Sequence, residues 1–150
     1  DLNVEKREGA VRNFLGQNTL RLLPEEQKEI QEQILGIVND QTFSSIFGPG
    51  SRAEVAVTGL VSGKIISAQI DRLIVKPKEV LIVDYKTNCL PPSSQNNVEE
   101  AYLRQIAAYR LVLKEVYPEK EIRCALLWTV GPSFMHIDHK LLNKYEVISD

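Results

Sequence analysis

Along the N-terminal third of the chain, apolar side chains recur at helical spacing. Val11, Phe14 and Leu15 share one face, and Gly16 is a natural stop. Pro24 opens a stronger helix with Glu25 and Glu26 in its first turn, where unpaired backbone N–H groups favour negative charge. Its apolar face is Ile30, Ile34, Ile37 and Val38. The run DQTFSSIFG predicts a further short helix capped by Asp40, with Phe43, Ile46 and Phe47 turned inward. Gly48, Pro49 and Gly50 then break the chain.

The period now shortens to that of strands. AEVAVTG alternates, with Glu54, Ala56 and Thr58 on one face and Ala53, Val55 and Val57 on the other. GKIISAQIDRLIV reads as a second strand, KPKE as a tight connection and VLIVDYKT as a third strand, which predicts an antiparallel meander. The polar loop LPPSSQNN leads to a helix over 98–117. IRCALLWTV is nearly continuous in its apolar positions, as an interior strand is, and FMHID predicts a short fifth strand before a last helical turn. The expected fold is α/β: a mixed sheet of four to five strands flanked by helices, with a helical N-terminal part.

At 150 residues the chain suits one domain with a sizeable core, its helical part over 1–50 and its sheet and remaining helices over 51–150. No apolar run reaches membrane-spanning length and no signal peptide is visible, so a cytoplasmic protein is expected. Cys89 and Cys124 lack the paired spacing of a zinc site or a four-cysteine cluster. A net charge of −2 does not announce a nucleic-acid binder, although a site that gathers carboxylates for a metal would itself lower the total.

Candidate chemistry centres on EVLIVDYKTN, an apolar strand that turns ionic at its end. Positions two apart on a strand share a face, so Asp84 and Lys86 project side by side, either as a surface ion pair or as a catalytic site. Asp71 precedes them by one hairpin, a span that can bring both acids to the same end of the sheet. Two converging carboxylates suit Mg²⁺ or Mn²⁺, which as hard cations choose oxygen ligands. A neighbouring Lys adds charge for an attacking water and for phosphoryl oxygens, which fits phosphodiester hydrolysis better than acyl or glycosyl transfer.

In the following helix Tyr102, Gln105, Ile106 and Tyr109 share one face. Either the stripe is core and Gln105 is a solvated bystander, or the Gln105 amide has a partner in a site beside it. His136 and His139 are expected to be solvated, and Trp128 to be core or a sheet-edge aromatic. Lys64, Arg72, Lys76 and Lys78 read as ordinary surface cations, with a phosphate track as the alternative.

QIDRLIV, VDYKTN and YLRQIAAY, in this order and spacing, resemble the nuclease domain of the RecB-like branch of the PD-(D/E)xK superfamily over residues 52–129. More narrowly, they are similar to the C-terminal nuclease domain of AddA-type bacterial helicase–nuclease subunits. The resemblance implies that Asp71 and Asp84 bind Mg²⁺ (or Mn²⁺), that Tyr85 offers its backbone carbonyl to the metal, and that Lys86 is catalytic. It implies that Gln105, Tyr109 and Tyr102 support the site and contact DNA, and it maps an assisting acid onto Glu54. Ala68 stands where the family usually has Gly. The His ligand that these domains carry on an upstream helix has no counterpart here, since His136 and His139 lie near the C-terminus.

The chain is therefore expected to be a piece of a longer helicase–nuclease, beginning just after that helix. The implied activity is Mg²⁺-dependent exonuclease action on DNA in double-strand break repair, with an AddB-like second subunit as partner. The chain has no Walker A loop, so ATP hydrolysis would reside elsewhere in the parent protein. Two readings compete: a nuclease-like fold kept as a DNA-binding or structural module without chemistry, and a stand-alone endonuclease.

Overall fold

The computed structural model describes residues 4–48, 50–61, 63–87 and 89–146, so Pro49 of the predicted break and Asn88 of the second motif lie outside it. Both N-terminal helices form as the apolar periodicity predicts: α1 is Val4–Leu15 and α2 is Pro24–Asn39. Arg7 in α1 donates to the Val38 carbonyl at 2.9 Å and ties the two together. Leu23 cannot cap α2 with its own side chain, and Glu26 reaches back to accept the Leu23 N–H at 2.7 Å. The short helix expected after Asp40 is a 3-10 helix, Gln41–Ile46, whose first bond runs from the Phe43 N–H to the Asp40 carbonyl. Phe43 and Ile46 are buried, and Phe47 packs against them as a half-buried neighbour.

The sheet has five strands in sequence order: β1 (Ser51–Val61), β2 (Lys64–Val75), β3 (Glu79–Lys86), β4 (Glu121–Trp128) and β5 (Ser133–Ile137). β1, β2 and β3 form the predicted antiparallel meander, and β5 runs antiparallel to β4. β3 and β4 are parallel and therefore need a crossover, which is α3 (Glu100–Val116). A final turn, α4 (His139–Leu142), follows β5. No helix among the described residues is long and apolar enough to cross a membrane.

Two cores sandwich the sheet. Val80 and Ile82 of β3 join Leu103, Ile106 and Leu113 of α3 on one face, with Trp128 fully buried among them. Val83 of β3 joins Ile37, Phe43 and Ile46 on the other, with Leu81 packed against them. A strand buried on both faces has no polar alternation to show, which is why VLIV is uninterrupted.

One departure from plain alternation matters for the site. Ile70 and Leu73 both enter the α3-side core, although their odd spacing would place them on opposite faces of a regular strand. The β1–β2 ribbon turns over between them. Glu54, in register with this point on β1, has a left-handed φ of 52°, unusual for a residue with a side chain. Beyond it Val55 and Val57 pack toward α3, and Gly59 passes so close that a Cβ there would lie 3.0 Å from Val112 Cγ1.

His139 is partly exposed, as expected, and also makes two contacts. Its Nδ1 lies 2.6 Å from Arg110 Nη2 and its Nε2 lies 3.2 Å from Glu121. Arginine only donates, so Nδ1 accepts and Nε2 carries the proton toward the carboxylate. The sequence offered no sign of this, because the partners come from α3 and β4.

Candidate active site

β3 carries the centre of the site at its C-terminal end. On one side it is paired with β4 through Lys86↔Trp128. On the other, the ladder to β2 stops at Arg72↔Val83. Where the next pair would fall, the Asp71 side chain enters instead and its Oδ2 accepts the Tyr85 N–H at 2.7 Å. Asp71 and Asp84 thus stand opposite each other at a gap in the sheet, at the strand ends where open α/β sheets bind ligands.

Asp84 and Lys86 are 3% and 7% exposed, which removes the reading as a surface ion pair. Lys86 Nζ lies 2.5 Å from Asp84 Oδ2, donates to Gln105 Oε1 at 3.0 Å, and sits 3.8 Å from the centre of the Tyr102 ring. Gln105 Nε2 in turn donates to the Tyr109 hydroxyl at 2.7 Å. The polar residue on the apolar stripe of α3 therefore has both its amide atoms occupied, and the bystander reading of Gln105 falls.

Burial pushes the Asp84 carboxyl above the usual carboxylate range, more than the Lys86 hydrogen bond and charge pull it down, and Asp71 pushes it further up. One ammonium thus does not offset two neighbouring carboxylates in a desolvated place. Burial also raises the Tyr85 phenol, against the hydrogen bond from Arg72, and raises Tyr109. Tyr102 is raised chiefly by its contact with Cys89.

Glu54, mapped onto the site from the sequence, falls opposite Asp71, between the pairs Ala53↔Arg72 and Val55↔Ile70, and its charge acts on the Tyr85 phenol together with that of Asp71. It is exposed, and its Oε2 accepts from Gln69 Nε2 at 2.5 Å. Among the described residues no three His, Cys, Asp or Glu side chains gather as a metal-binding set. Asp71 and Asp84 are the two acids at the gap. Arg72, read from the sequence as surface, is instead structural: Nε donates to the Tyr85 hydroxyl at 3.0 Å, Nη1 to Ser51 Oγ at 3.2 Å, and the guanidinium lies 4.9 Å from the Phe47 ring centre. Its position directly after Asp71 in QIDR was the one available signal.

The donor set fits a hard divalent cation: both bonds named above engage Oδ2, leaving Oδ1 of each acid, and the local charge balance is one cation short.

A meander closed by a parallel crossover, with acids at the gap and a Lys beneath the crossover helix, defines the restriction-endonuclease-like class of α/β folds. The family description "PD-(D/E)XK nuclease superfamily" matches residues 4–147, and the chain belongs to that superfamily, whose nucleases generally use divalent metal ions. The crystal structure of a candidate exonuclease from Eubacterium rectale superposes with a TM-score of 0.61 at 18% identity, over 97% of this chain and 63% of that one. This chain thus spans less than two thirds of that protein, and the likeness speaks for the fold. SSO0001 superposes with a TM-score of 0.42 at 11% identity, over 95% of this chain and 80% of that one, too distant to bear on the site. No curated protein matches the sequence.

Proposed function

We propose that this chain is the nuclease domain of a metal-dependent DNA exonuclease, carried by an AddA-type helicase–nuclease that processes double-strand breaks. The observation that carries the reading is the buried Asp84–Lys86 pair facing Asp71 across the sheet gap. A buried ion pair is a poor source of stability, since well-packed apolar residues do as well or better, so its presence calls for a chemical reason.

In this reading Asp71 and Asp84 hold Mg²⁺ or Mn²⁺ with the Tyr85 carbonyl. The bound ion supplies Lewis-acid charge that makes a water more acidic and steadies phosphoryl oxygens. Lys86 orients the attacking water and stabilises the charge that develops on the phosphate. Gln105 keeps the Lys86 ammonium directed at Asp84, and Tyr109 holds Gln105 in turn. Tyr102 covers the ammonium and, with Gln105 and Tyr109, borders the path of the DNA strand. Glu54, opposite Asp71 in the register, assists as a further acid. ATP hydrolysis and an AddB-like partner belong to the parent protein, acting in the cytoplasm.

The test is degradation of end-labelled linear DNA with Mg²⁺, with Mn²⁺ and with excess chelator. Cleavage from the ends that stops with the chelator is expected. Digestion unaffected by the chelator, or no digestion in any arm, overturns the reading.

A further inference from the structure

We infer that Arg72 and Tyr85 form a brace on the far face of the sheet that sets the spacing of Asp71 and Asp84, making both positioning residues. The inference deepens the metal-site reading above and rests on it.

The two acids sit where β2 and β3 have stopped pairing. Without ladder bonds, something else must fix the width of the gap. On the site face, among the described residues, the Asp71 carboxylate bridges it by accepting the Tyr85 N–H. That carboxylate cannot both set the gap and be free to adjust to a cation, because its two oxygens are rigidly joined.

The opposite face supplies the second tie. Tyr85 packs against the Ile37–Phe43 core and Arg72 lies over Phe47, so both side chains are on the face opposite α3. There Arg72 Nε donates to the Tyr85 hydroxyl at 3.0 Å. The same guanidinium reaches Ser51 on β1 at 3.2 Å and lies over Phe47 after the 3-10 helix, so three strands and the N-terminal helical part converge on one side chain. Each end of the brace is one peptide from an acid, and the Tyr85 N–H itself meets Asp71. A planar guanidinium with several donors in fixed directions suits this use, and a flexible ammonium does not. Groups that hold a metal ligand from outside commonly affect affinity or activity by about 10–100-fold.

The test uses Tyr85→Phe, Arg72→Met, Arg72→Lys and the Tyr85→Phe/Arg72→Met double variant, with Asp84→Asn as the control that removes a ligand. Mn²⁺ affinity is measured by calorimetry, and hydrogen exchange of the peptide bearing the Tyr85 amide is measured without metal. Either single loss should weaken Mn²⁺ binding about tenfold and speed exchange at Tyr85, while α3 exchange stays unchanged. Arg72→Lys should not rescue. The double variant should be no worse than the worse single variant, because both remove one tie.

Wild-type Mn²⁺ affinity and unchanged Tyr85 exchange in both singles overturn the brace, as does a double variant whose losses add. If the wild-type protein binds no Mn²⁺, the metal reading falls. Faster Tyr85 exchange in the variants then still supports the brace as the tie across the gap, and unchanged exchange overturns it.

Discussion

The Lys86 ammonium donates to Gln105 Oε1 at 3.0 Å, joining the end of β3 to the middle of α3. The contact links two motifs that are separate in sequence and makes the crossover helix part of the site. It also means that the ammonium is held from two sides, by a carboxylate and by an amide, beneath an aromatic ring. Such a Lys is fixed in direction before any substrate arrives, as electrostatic stabilisation of a transition state requires.

Asp84→Asn should abolish cleavage and leave the fold intact. The sign of the stability effect follows from the raised Asp84 pKa. A carboxyl raised by folding favours the protonated form, so its contribution is full below the unfolded value and is lost as pH rises through the folded value. Asn resembles the protonated form. In metal-free buffer the variant should melt no lower than wild type at neutral pH, and the two curves should converge under mild acid. A variant that cleaves near the normal rate would show Asp84 to be a structural group alone.

Lys86→Met should slow the chemical step by about 10²–10³ while leaving Mn²⁺ affinity close to wild type. Gln105→Leu removes an acceptor from a charged donor, a loss of about 1.5–3 kcal/mol or roughly 10–100-fold. It should move the single-turnover rate in the same direction by less. Single-turnover cleavage beside calorimetric metal titration separates rate from binding. Equal rates for wild type and Lys86→Met would remove Lys86 from the mechanism.

Gly59→Val should lower the melting temperature without touching the acids. The new side chain meets Val112 Cγ1 at 3.0 Å, and overpacking of this kind costs about 1–3 kcal/mol. Mn²⁺ affinity measured well below the melting temperature should stay at the wild-type value. A variant as stable as wild type would mean that the ribbon is not pressed against α3.

The two cysteines should differ in reactivity. Burial pushes the Cys124 thiol up to about 12, whereas Cys89 is half-buried beside Tyr102. A disulfide-exchange reagent at neutral pH should therefore titrate one thiol quickly and the second only on unfolding, with peptide mapping placing the fast label on Cys89. Rapid labelling of Cys124 in the folded protein would contradict its burial.

The elements were legible in the sequence because each is a local matter. The VLIV run, the helical face of α3 and the Pro24 start all depend on neighbours within a few residues. Asp84 and Lys86 sharing a face follows from strand geometry alone, and the three motifs in order carried the superfamily. Tertiary structure alone decided that the Asp84–Lys86 pair is buried and that Gln105 meets Lys86. It alone showed that Asp71 fills a missing ladder position, because burial and pairing depend on which distant segments cover a site. The backbone of Glu54 shows the same limit: alternation presumes a flat strand, and the turn of the ribbon at its left-handed φ is a property of the packed sheet. Arg72 was missed for a related reason. Its partners on β1, β3 and beyond the 3-10 helix converge only when the sheet and the N-terminal helices are packed together.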